Sequence, residues 1–129
     1  MIALDTNVLL RTLVDDDKAT AQCTAARKLV AAAGTVTISA AVFLETVWTL
    51  SRNFGFSRKD MVRVATLLLK HPKYRVQDTA LFEGAVARFA STNIDFADAV
   101  ALEHAARNDA VLHTFDRKLA KLHGARAVD

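Results

Sequence analysis

A chain of 129 residues has room for one domain, and 52% hydrophobic residues can supply its core. Four Gly and one Pro argue against disorder, collagen and a turn-rich β architecture, while 24 alanines favour packed helices. The lone Cys23 excludes an intramolecular disulfide and a cysteine-built zinc cluster, and a formal charge of +3 with a pI near 9.3 suits either an ordinary soluble surface or an anionic partner.

Ile2-Ala3-Leu4 is a short apolar run closed by Asp5. Asn7 to Val14 has helical spacing, with Val8, Leu9, Leu13 and Val14 apolar. Asp17 is expected to cap a second helix, Lys18 to Ala33, which Gly34 ends. Thr35 to Ile38 is β-branched and predicts a strand. Ser39 caps Ala40 to Arg52, and Ser57 with Asp60 resembles a capping box that opens Arg58 to Lys70 before Pro72. Tyr74 to Val76 predicts a short strand. Asp78 or Thr79 caps a helix to about Ala90, and Asp95 caps another to about Arg107. Ala110 to Thr114 predicts a late strand, Asp116 starts a helix to Leu122, and Arg126 to Val128 forms a last edge strand. Strands alternating with helices argue for a parallel sheet covered by helices. No linker or repeat interrupts the chain, so residues 1–129 read as a single domain.

No apolar run approaches the roughly 18 to 20 residues that span a bilayer. Asp5 interrupts the N-terminus too early for a signal peptide. The expectation is a cytoplasmic protein with no membrane association.

In an open parallel α/β sheet, ligands sit beyond the carboxyl ends of the strands. Two strands run straight into an acid, at Asp5 and at Asp116. If both strands belong to one sheet, both carboxylates reach one edge; helix capping is the plainer role for either acid. Glu45 interrupts an otherwise apolar helical segment, and Asp98 sits one turn into its own, with Asp95 three residues earlier on the same face. Four converging carboxylates would repel one another unless protonated or neutralised by a cation. A set of oxygen ligands without His or Cys favours Mg²⁺ or Mn²⁺ over zinc, and such ions typically bind phosphates. Setting the four acids aside raises the formal charge of the remainder from +3 to +7. Arg11, Arg52, Arg117, Lys118 and Lys121 lie on the adjoining segments as candidate RNA contacts, although each also reads as a solvated charge.

Leu4-Asp5-Thr6-Asn7-Val8-Leu9-Leu10 resembles the opening of PIN domains, most closely of VapC-type toxins. Phe43 to Leu50, Ile94 to Val100 and Leu112 to Asp116 resemble the later motifs of that family, in order. The resemblance implies a three-layer α/β/α fold with a short central parallel sheet flanked by helices. It implies an Mg²⁺- or Mn²⁺-dependent ribonuclease whose acidic quartet is Asp5, Glu45, Asp98 and Asp116. Thr6, Asn7 and Thr114 match supporting polar residues, and Asp95 matches a position less consistently acidic. It further implies an RNA substrate, a VapB-type antitoxin and a homodimer. The alternative within the same fold is a non-catalytic module that binds RNA or protein. A phosphatase or phosphoacceptor built on Asp5 is disfavoured, because Asn7 stands where a second Asp is wanted.

Overall fold

The computed structural model describes all residues, Met1–Asp129. The architecture is mixed α/β, with seven helices and short parallel strands, as expected. The chain divides into two compact units, Met1–Thr79 and Ala80–Asp129.

The first unit carries β1 (Ile2–Ala3), α1 (Thr6–Leu13), α2 (Thr20–Ala32), β2 (Val36–Ile38), α3 (Ala40–Phe54), α4 (Arg58–Lys70) and β3 (Tyr74–Val76). Its three strands pair in the order β1-β2-β3, all parallel, with Ile2 opposite Val36 and Ile38 opposite Val76. Leu9, Val36, Ile38, Phe43, Leu50 and Leu68 are fully buried and form the centre of its core.

Local chemistry explains most helix ends. Ser39 and Ser57 accept the amides of Val42 and Asp60, so α3 and α4 begin where expected. Beyond Arg52, α3 continues to Phe54 and ends at Gly55, whose φ of 65° is left-handed and suits glycine. The start of α2 differs from expectation. Asp17 does not cap it; the Asp16 carboxylate instead accepts the Lys18 amide, and the Asp16 carbonyl accepts the Ala19 amide. That turn delays the helix to Thr20 and leaves Ala19 as a cap without a side-chain bond. At the other end of α2, the Lys73 ammonium donates to the carbonyls of Val30 (2.8 Å) and Ala33 (2.7 Å), of which Val30 also accepts the Ala33 amide. The Lys73 carbonyl in turn accepts the Val36 amide.

Phe43, Thr46, Val47 and Leu50 form the buried stripe of α3, at the spacing that keeps one helix face inward. Thr46 is fully buried, and its hydroxyl has no hydrogen-bond partner. Thr46→Val keeps the branched shape and removes the unpaired group. The variant is expected to be more stable by about 1 kcal/mol, read as a rise of a few degrees in melting temperature. A loss of stability would show that the hydroxyl is satisfied in solution.

The second unit carries α5 (Thr79–Ser91, entered from the first unit's last residue), α6 (Phe96–Arg107), β4 (Leu112–Thr114), α7 (Arg117–Ala120) and β5 (Ala125–Ala127). Asp78 precedes α5 with a φ of 57°, a conformation Asp tolerates better than most residues. Phe96 stands edge-on to Phe89 (ring centroids 5.5 Å) and parallel to Phe82 (6.5 Å), so three aromatic rings anchor α5 on α6. β4 pairs only with β5, in parallel, as a separate two-stranded sheet. Strand pairing therefore does not itself carry Asp5 and Asp116 to a common edge. The last helix is one turn rather than a run to Leu122, because the Leu122 amide turns back to the Leu119 carbonyl. No helix is long and apolar enough to cross a membrane.

Candidate active site

In the first unit, Asp5 follows buried Leu4 and stands at the head of α1. Its Oδ1 accepts the Val8 amide at 3.0 Å, so the capping role is real. A carboxylate has two oxygens, and this bond fixes one while Oδ2 remains free at an exposed position. Asp5 and Asn7 border a cleft of about 270 Å³ between α1 and α2, completed by Val8, Arg11, Gln22, Ala25 and Ala26. Thr6 opens α1 and is half-buried. Arg11 is held in that cleft wall: its Nε donates to Gln22 Oε1 at 3.0 Å, and its Nη1 lies 3.4 Å from Asp16. The candidate RNA contact is thus positioned by neighbours rather than waving in solvent, although part of its charge is answered by Asp16.

Glu45 lies on the exposed face of α3, opposite the buried stripe. Phe43, Thr46 and Val47 around it are buried, and Glu45 is exposed. Arg52, two turns further on, lies over the ring of Trp48 at 5.0 Å from its centroid.

In the second unit, Asp98 is half-buried in the first turn of α6. Its carboxyl is pushed above the ordinary range, first by burial and then by the charges of Asp95 and Asp116. The first turn of a helix favours an anion, so here burial and like charge outweigh the dipole. Asp95 occupies the cap position of α6 yet makes no capping bond, and its charge acts on Asp98 instead. Asp116 is the cap of α7: its Oδ1 accepts the amides of Lys118 (2.9 Å) and Leu119 (3.0 Å). The Thr114 hydroxyl accepts the Asp116 amide at 3.0 Å, which fixes the turn that presents the acid. Arg117, Lys118 and Lys121 are exposed around it. Within this unit, the charges of Asp95 and Asp116 thus both bear on Asp98. In neither unit do three Asp, Glu, His or Cys side chains stand close enough to enclose an ion.

Two exposed aromatic residues escape a reading for acids. Trp48 is 52% exposed and Phe115 is 84% exposed. The signal for Trp48 is in the spacing: it falls three residues after Glu45 and off the Phe43, Thr46, Val47, Leu50 stripe.

No curated protein sequence matches the chain. Among solved structures it is similar to VapC20 of Mycobacterium tuberculosis, described as a sarcin-ricin loop cleaving toxin. That likeness has 21% identity, covers 98% of this chain and 99% of that one, and has a TM-score of 0.48. It is also similar to a toxin-antitoxin complex from Klebsiella pneumoniae, with 18% identity, coverage of 97% and 95%, and a TM-score of 0.39. The sequence pattern of the PIN domain family matches residues 2–125, a span that includes Asp5, Glu45, Asp98 and Asp116. The chain belongs to the PIN domain family.

Proposed function

We propose that this protein is a Mg²⁺- or Mn²⁺-dependent endoribonuclease that acts as the toxin of a toxin–antitoxin pair in the cytoplasm, with residues 1–129 working as one nuclease domain. The observation that carries the reading is Asp98, a half-buried carboxyl that burial, Asp95 and Asp116 push above the ordinary carboxylate range. Clustered carboxylates of this kind suit a divalent cation, and their hard oxygens fit Mg²⁺ or Mn²⁺. Asp5, Asp98 and Asp116 are the proposed ligands. Glu45 is a further ligand or the group that orients the attacking water. A bound divalent ion lowers the pKa of that water and stabilises charge growing on the phosphate.

The protein's part is to hold these carboxylates still. Backbone amides tie one oxygen of Asp5 and one of Asp116, so both side chains are oriented before substrate arrives. Thr114 fixes the Asp116 turn, and Thr6 and Asn7, which follow Asp5 at the start of α1, are the proposed supports of its carboxylate. Arg11, Arg52, Arg117, Lys118 and Lys121 offer positive charge to the RNA backbone. A VapB-type antitoxin and a second copy of the chain are the proposed partners, on the strength of the family resemblance.

Purified protein is expected to cut a labelled single-stranded RNA with Mn²⁺ or Mg²⁺, to stop in EDTA, and to leave 5′-phosphate and 3′-hydroxyl ends. A 2′,3′-cyclic phosphate would signal attack by the RNA's own 2′-hydroxyl and sink the mechanism. The second reading, an RNA- or protein-binding module without turnover, draws on the lack of a preassembled ion cage in either unit. It requires RNA binding that survives Asp98→Asn and no cleavage with either metal.

A further inference from the structure

The exposed face of α3 carries a feature that metal chemistry does not use. Ala41, Glu45, Trp48 and Arg52 follow one another along the helix on one side, opposite the buried stripe. With a rise of about 1.5 Å per residue, Trp48 lies about one turn beyond Glu45 and Arg52 about two turns beyond it. Trp48 is half exposed, an expensive place for so large a ring unless something uses it. The Arg52 guanidinium stands over that ring and shares no ion pair with an acid, so the indole is its partner and no carboxylate neutralises it. An aromatic face beside a cation that no acid neutralises is the arrangement that holds single-stranded nucleic acid: the ring takes a base and the cation a phosphate.

We infer that this face of α3 is a stacking platform for single-stranded RNA, with one base on the indole of Trp48 and a neighbouring phosphate on Arg52. The inference rests on the nuclease reading, because it seats a nucleotide next to Glu45. It also gives the substrate a requirement: an unpaired base must be free to leave its stack beside the cut. A second copy of this chain is the rival occupant. Stable protein interfaces bury about 800 Å² per partner around an apolar centre. On α3, Trp48 is the one large exposed apolar side chain, with small Ala41 and half-buried Leu44 near it and Glu45, Ser51, Arg52 and Asn53 exposed around it. That patch is poor for a dimer core and sufficient for one base.

Trp48 is the only tryptophan, so its emission reports on this surface alone. Metal-free protein in EDTA is titrated with a short oligoadenylate and with an abasic ribose-phosphate strand of equal length. Saturable quenching by oligoadenylate, weak quenching by the abasic strand, and loss of the signal at high salt are expected. Labelled-RNA anisotropy should show Trp48→Ala and Arg52→Ala binding about tenfold more weakly, with Trp48→Phe close to wild type. Thermal melting confirms that each variant is folded. Equal RNA affinity in Trp48→Ala and wild type, without quenching, overturns the platform. Emission that shifts with protein concentration before any RNA is added also overturns it, in favour of a second copy. Cleavage of the same RNAs by the same proteins, assayed with Mn²⁺ in place of EDTA, separates the two readings. Quenching without cleavage keeps the platform and removes the nuclease; cleavage without quenching removes the platform alone.

Discussion

Asp98→Asn is expected to abolish RNA cleavage and, in metal-free protein at neutral pH, to raise the melting temperature. The two effects share one cause. In the folded protein Asp98 is pushed above the ordinary carboxylate range by burial, Asp95 and Asp116. In the unfolded chain it returns to that range. Between the two values the folded state binds more protons, so the stability contributed by this residue falls as pH rises through that window. At neutral pH the full penalty is present, and Asn, uncharged and of the same shape, does not carry it. Below the carboxylate range Asp98 is protonated in both states, and wild type and variant should melt alike. Cleavage moves the other way, because Asn offers the metal no charge. Removing a group that merely supports a ligand costs roughly 10–100-fold, and losing a ligand should exceed that. Melting curves from acid to neutral pH, beside the cleavage assay, test both. A variant that melts lower at neutral pH would mean that Asp98 is a stabilising charge rather than a crowded one.

The second large effect lies away from the acids, where α5 meets α6. Glu103 is only 13% exposed and accepts the Nε of Arg88 at 2.7 Å and the Nε of Arg107 at 2.8 Å. Arg107 also donates to the Ala80 carbonyl, which ties the start of α5 to the end of α6. This carboxyl fits because Gly84 has no side chain: a Cβ there would overlap the Cδ and Oε2 of Glu103. Gly84→Ala gains about 1 kcal/mol of helix propensity. It forces Glu103 off two ion pairs or α5 off α6, an overpacking cost of about 1–3 kcal/mol, so a net loss is expected. Glu103→Ala strands two guanidiniums. Breaking a buried pair costs about 3–5 kcal/mol; these arginines are 32% and 45% exposed and regain water, so about 2–3 kcal/mol is expected. With Glu103 truncated, the clash at residue 84 disappears. The double variant should therefore lose less than the sum of the singles, by about 1–2 kcal/mol in urea denaturation. Additive losses would refute the steric account.

Elements governed by their own ends were legible from sequence. Arg58–Lys70 was expected and found, because Ser57 opens it and Pro72 follows it. Asp5 and Asp116 stand out because each closely follows a short strand, and each does cap a helix. The start of α2 was hidden because three consecutive aspartates compete for the same amides, and Asp16 rather than Asp17 wins. The pairing of β4 with β5 was hidden because three-residue strands carry no register signal of their own. Asp95 reads as a cap by position. Only the structure shows its carboxylate uncommitted and acting on Asp98.

Lys73 has a bearing on how the first unit folds. Its ammonium completes the last turn of α2, and its carbonyl receives the first amide of β2. These partners lie about forty residues away along the chain. Until the segment leading into β3 arrives, the end of α2 lacks its cation, and β2 has one neighbour instead of two. The closing of that long loop is the slow, entropically costly event on such a path. A nascent chain that stops short of Lys73 already contains the groups that hold α1 to α2, Arg11 with Gln22 and Arg27 with the Thr12 carbonyl, but lacks the third strand and the cation at the end of α2.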